Sequence, residues 1–222
     1  MKNRMSSFDV PHKGIRNGLA QLSLLSAKLD YTDIAQVEEL NAIGKEVFII
    51  LTTHADDENE VSLMHLEEKV KGASSHDMEE HERIHLKQSN LEDMLKEIYT
   101  AAKNGQDATE AGGAFYSALS DFQAEYLKHM SGEESDTQAL LWKHFTDEEL
   151  AGHRTEIMKK LNPETLLLWF KYIAPAQSQR ERVGLFKGFK ANAPQSMFEK
   201  AQAVLQQALT SSDYEKLMNA LN

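Results

Sequence analysis

The sequence predicts an all-α fold: an up-down-up-down four-helix bundle with additional short C-terminal helices. Three observations predict it. No proline occurs between Pro11 and Pro163. Ala, Leu, Glu, Lys and Gln, which favour helix, dominate the composition. Alternating β-branched runs between Asn-Gly type turns are missing, whereas apolar residues recur at spacings of three, four and seven.

The first helix is expected from about Pro11 to Lys28, with Pro11 suited to the first turn. Ile15, Leu19, Leu22 and Leu29 fall in line with His12. The second runs from near Thr32 to about Lys71 and carries Val37, Leu40, Val47, Leu51, His54, Glu58 and His65. Gly72-Ala73-Ser74-Ser75 reads as the turn after it. A third helix is expected from about His76 to Lys103, with Ser75 as N-cap and acidic residues in its first turn. Asn104-Gly105 ends it. The fourth follows an Asp107-x-x-Glu110 variant of the capping box and continues through Phe115, Phe122, Tyr126, His129 and Glu133, with a break near Ser131-Gly132. Four such helices with short turns make a bundle.

The remainder divides into about five short helices. Thr146-x-x-Glu149, Ser178-x-x-Glu181 and Ser212-x-x-Glu215 are capping boxes, and Asn162-Pro163 is a cap followed by proline. Leu166, Trp169, Phe170, Phe186 and Phe198 give this part enough apolar surface to pack. The division is therefore residues 1–145 as the bundle and 146–222 as an extension packed on it.

The 222 residues suffice for a sizeable core. With no cysteine, any metal must be held by nitrogen and oxygen donors. Twenty-four basic against 35 acidic residues give a net charge of −11, which disfavours nucleic acid and anionic lipid as partners. The longest apolar runs, Val47–Leu51 and Leu166–Phe170, fall far short of the ~20 residues that span a bilayer. Met1 to Val10 has no apolar stretch of signal-peptide type. A soluble, cytoplasmic protein is expected.

The chemistry resides in His12, His54-x-x-x-Glu58, His81-x-x-x-His85 and His129-x-x-x-Glu133. Four residues make about one helical turn, so each pair points off one face of its helix. Packed together, the four helices would set five imidazoles and two carboxylates around one point. That is a ligand set for two transition-metal ions. If both carboxylates bridge and one solvent oxygen is shared, one octahedral position stays open, on the ion with fewer histidines. His65, His76, His144 and His153 lack this registration and are expected at the surface or at interfaces, His65 being the one nearest a buried role.

These stretches, with Pro11-His12-Lys13-Gly14-Ile15-Arg16, Glu80-His81-Glu82-Arg83-Ile84-His85 and His129-Met130-Ser131-Gly132-Glu133-Glu134 in full, resemble the hemerythrin-like family, or HHE cation-binding domain. The resemblance runs from about Phe8 to Lys143, and the tail resembles an extension of longer bacterial members. It implies a four-helix bundle around two non-haem iron ions. His81, His85 and His129 would hold one iron and His12 and His54 the other, with Glu58 and the carboxylate after His129 as bridges. That carboxylate is Glu133 by helical spacing, or Glu134 if the helix is distorted at Gly132. Tyr126 would line the pocket, as hydrogen-bond donor or as core. Ligand type leaves manganese or zinc possible in place of iron.

The function expected is binding of O2, NO or peroxide, for sensing, storage or delivery. The alternatives are a di-iron redox enzyme that reduces peroxide or NO or oxidises iron, and a mononuclear zinc or nickel bundle.

Overall fold

The structure, a computed structural model, describes residues 4–222. Among them every regular element is helical. Helix α1 (Asp9–Lys28) buries His12, Ile15, Leu19 and Leu22 along one stripe, and Asp9 favours the positive end of its dipole. Helix α2 (Ile34–Asp57) starts where Asp33 Oδ1 accepts the Ala35 N–H at 2.9 Å. It continues without a break through a π-helical turn (Glu58–Ser62) into α3 (Leu63–Lys69). Gly72, at φ 82°, reverses the chain. Helix α4 (Ser75–Lys103) returns along α2, and α5 (Thr109–Gly132) completes the bundle before a second π-helical turn (Glu133–Thr137) and α6 (Gln138–His144).

Some local signals act differently from expectation. The Asp107–Glu110 capping box does not form; Asp107 accepts the Thr109 N–H at 2.9 Å, and Ala108 stands at the cap. The chain does not break at Gly132 but widens into the π turn one residue later. Ser212 and Glu215 make no box either, because Thr210 caps the last helix by accepting from the Asp213 N–H.

The extension consists of α7 (Asp147–Lys160), α8 (Pro163–Ala176), α9 (Gln179–Asn192), α10 (Gln195–Ala208) and α11 (Ser211–Leu221). The boxes at Thr146–Glu149 and Ser178–Glu181 form, as does the Asn162 cap. Helix α8 is apolar nearly all round, and it is buried on two sides. Trp169, Tyr172 and Ile173 join the bundle core, while Phe170 and Ala174 join a second core with Phe186, Phe198, Leu205 and Leu217. Close approach of α8 to α1 depends on Gly14. A Cβ there would lie 2.7 Å from Ile173 Cγ1. Asn17 Nδ2 donates to Tyr172 O (2.9 Å), and Tyr172 Oη donates to Glu46 Oε2 (2.7 Å), fixing α8 against α1 and α2. A third cluster of Phe8, Leu66, Leu141, Phe145 and Leu150 closes the end of the bundle beside α7.

Candidate metal centre

Each bundle helix contributes to one buried polar cluster. His12 comes from α1, His54 from α2, His81 from α4 and His129 from α5, all at most 5% exposed. Glu58 and Glu133 are the first residues of the two π-helical turns and are equally buried. Leu63 N–H donates to Glu58 O and Gln138 N–H to Glu133 O, five residues back. The wider turn rephases the chain at the point where a carboxylate must face inward, a use of π turns common at functional sites.

His12 Nε2 and His54 Nε2 lie 3.0 Å apart, close to the spacing of adjacent donors on an ion with metal–nitrogen bonds of ~2.1 Å. Glu58 Oε1 lies 3.2 Å from His54 Nε2, and its Oε2 lies 3.4 Å from His81 Nε2. Glu133 Oε2 lies 3.3 Å from His12 Nε2, and its Oε1 lies 3.3 and 3.1 Å from the Nε2 atoms of His81 and His129. Each carboxylate thus presents one oxygen to each histidine pair. Two overlapping donor groups result: His12, His54, Glu58 and Glu133, and His81, His129 and Glu133, each within reach of a single ion. Both oxygens of Glu58, Glu133 Oε2 and His129 Nε2 are buried without a hydrogen-bond partner. Such groups are costly unless a cation satisfies them, so the donor set fits a metal.

Six of the seven residues expected from the sequence meet here. His85 does not, and that expectation is corrected. The inward stripe of α4 is Asp77, His81, Ile84, Gln88, Leu91 and Leu95, so Ile84 takes the inner position one turn after His81. His85, rotated off that stripe, is exposed. Of the two carboxylates after His129, Glu133 faces the cluster, while Glu134 lies outside and pairs with Arg16 (2.6 Å).

The hemerythrin HHE cation-binding domain matches residues 5–141. The chain belongs to this family. No curated protein and no solved structure matches it. Among the described residues no helix is long and apolar enough to cross a membrane.

Asn59 and Glu80, which the sequence reading did not single out, and Glu134, expected there only as an alternative bridge, orient the HHE cluster. Glu134 Oε1 accepts from His12 Nδ1 (2.9 Å), Asn59 Oδ1 from His81 Nδ1 (2.8 Å) and Glu80 Oε2 from His129 Nδ1 (2.9 Å). A proton held at Nδ1 leaves the Nε2 lone pair facing inward, the tautomer a metal requires. Phe8 stacks on His12 (5.2 Å between rings), and Trp169 of the extension stands edge-on to His54 (6.3 Å). Tyr126 packs against Phe122 and edge-on to His129 as part of the core.

The charges explain what the HHE cluster demands. Burial and the neighbouring Glu133 push Glu58 up to about 7. Burial opposes charge on Glu133 too, but hydrogen bonds from His12, His129 and His81 outweigh it and hold this carboxyl well below its usual range. Burial likewise opposes charge on His12 and His81, yet the carboxylates beside them prevail and raise the two to about 9 and about 10. Burial and the adjacent His12 push His54 well down. Two carboxylates side by side therefore draw positive charge into the core. Protons can supply it, and so can a metal cation that displaces them.

Proposed function

We propose that this HHE protein holds two iron ions and binds O2, or a related small ligand such as NO or peroxide, for sensing, storage or delivery. The observation that carries the reading is the disposition of Glu58 and Glu133, each with one oxygen toward His12 and His54 and the other toward His81 and His129. Carboxylates so placed could each serve two ions. His12 and His54 would hold one ion and His81 and His129 the other, with both carboxylates shared. Imidazole and carboxylate suit iron, and they admit manganese or zinc.

Bound iron would supply a redox-active centre with free coordination positions. The chain supplies the rest. Glu134, Asn59 and Glu80 fix the rings of His12, His81 and His129. Phe8, Trp169 and Tyr126 set their rings against the imidazoles of His12, His54 and His129. With His85 outside, one ion would receive His12, His54, Glu58 and Glu133 and the other His81, His129 and Glu133. An octahedral ion takes about six donors, so both ions would have room for an exogenous ligand. The acidic surface disfavours nucleic acid and anionic lipid as partners.

The test is metal content with an ultraviolet–visible spectrum on protein purified anaerobically and then exposed to air. The expected result is about two irons per chain, with a charge-transfer band that appears with O2 and disappears when O2 is removed. Irreversible oxidation of two irons would favour a redox enzyme or sensor. One zinc per chain and a flat spectrum would sink the proposal.

A further inference from the structure

A chamber of about 720 Å³ lies between the bundle and the extension. Its volume falls in the ~300–1,000 Å³ range of small-molecule sites, far more than a diatomic ligand needs. Buried residues, among them His54, Glu58 and Trp169, form its inner part, and the exposed Arg154, Thr155 and Asn192 form its rim. Between them the walls are mostly apolar, from α1, α7, α8 and α9. The family domain at residues 5–141 supplies only part of this wall.

Two features mark the mouth of this space. Gly184 and Gly188 stand four apart on α9, on the face that lines the chamber. A Cβ at either would meet nothing within 4 Å, so these glycines are not required for close packing. They leave room. The second feature is Arg154. Its Nη2 donates to Ser6 O at 3.3 Å, and no carboxylate pairs with it among the described residues. Crowding by protein lowers its pKa with no acidic neighbour to offset the effect. The exposed guanidinium, without a carboxylate partner and beside an apolar space, is placed to meet an anion with an apolar body. One guanidinium in a chain of net charge −11 matches a monoanion better than a dianionic phosphate. Met5 and Met158 in the wall adapt to a flexible chain.

We propose that this chamber binds a medium-chain aliphatic carboxylate, its head group on Arg154 and its chain running inward past Trp169 toward His54 and Glu58. The proposal does not depend on which metal the centre holds, or on whether it holds one.

Calorimetric titration of the full chain with decanoate tests it, beside Arg154→Gln and Gly188→Leu. Circular dichroism and metal content accompany each variant, so loss of fold or of metal is read separately from loss of the ligand. The expected result is saturable binding of about one decanoate per chain, weakened at least about tenfold in both variants. Decanol should bind parent and Arg154→Gln alike, because it carries no charge for the guanidinium. No saturable binding to the parent below the decanoate solubility limit would overturn the proposal. So would a folded variant that binds as tightly as the parent, or decyl phosphate binding more tightly than decanoate.

Discussion

At the scale of single residues, the centre depends on side chains that touch no donor position of their own. Glu134 takes a two-pronged hydrogen bond from Arg16 (2.6 and 3.1 Å) and fixes His12 through Nδ1. Glu134→Ala should therefore lower metal affinity ~10–100-fold while leaving every inward-facing group in place. Competition with a chelator of known affinity would measure it, and an unchanged affinity would remove Glu134 from the account. His85 makes the opposite case. Because it is exposed and off the inner stripe, His85→Ala should leave metal content and spectrum as they are, whereas His54→Ala should lose both. A loss of metal in His85→Ala would restore the five-histidine set.

At the scale of the elements, the sequence made most of the site legible, because four-residue spacing on amphipathic helices puts donors on one face. His85 shows where that rule runs out. Positions three and four after His81 flank the same face, and only the run of Ile84, Leu91 and Leu95 at alternating spacings tells which is inside. The orienting roles of Asn59, Glu80 and Glu134 were less accessible, since each acts on a histidine of another helix and no local pattern records the contact. The π turns left a trace in the sequence only as carboxylates placed one turn after histidines. Docking of α8 was legible as apolar surface but not as geometry, which rests on Gly14. An alanine in a helix ordinarily gains ~0.5–1 kcal/mol over glycine. At Gly14 the sign should reverse, because the added carbon meets the branched Ile173, whose backbone lies close behind at 3.4 Å. Gly14→Ala should cost ~1–3 kcal/mol and speed amide exchange in α8. Slower exchange there would show that the helices can shift apart at no cost.

At the scale of the molecule, one coupling ties the centre to stability and another ties the bundle to the extension. A metal bound only by the folded chain stabilises it, by about 4 kcal/mol at a thousandfold excess over the dissociation constant. Chelation should lower Tm accordingly, and a Tm indifferent to chelator would mean that the cluster holds nothing. The joint between bundle and extension also carries a pH dependence. The hydrogen bond to Glu156 (3.0 Å) raises His65 above its ordinary 6.5, against partial burial, and His153 stacks on His65 at 4.6 Å. A histidine raised on folding contributes fully below the unfolded value and loses its contribution as pH rises through the folded one. Wild type should therefore exceed Glu156→Gln in stability at pH 6, by a small margin at this solvent-screened position, and the gap should close in alkali. Melting curves across that range would reveal a constant gap if His65 were not the cause. Helix α8, finally, has one side in each of the two main cores, so neither core can come apart without stripping it. The 5–141 segment that defines the family is then no unit of cooperativity. A calorimeter should record one heat-absorption peak for the whole chain, and a truncation at residue 145 should melt broadly or not fold, with its bundle flank bared to water.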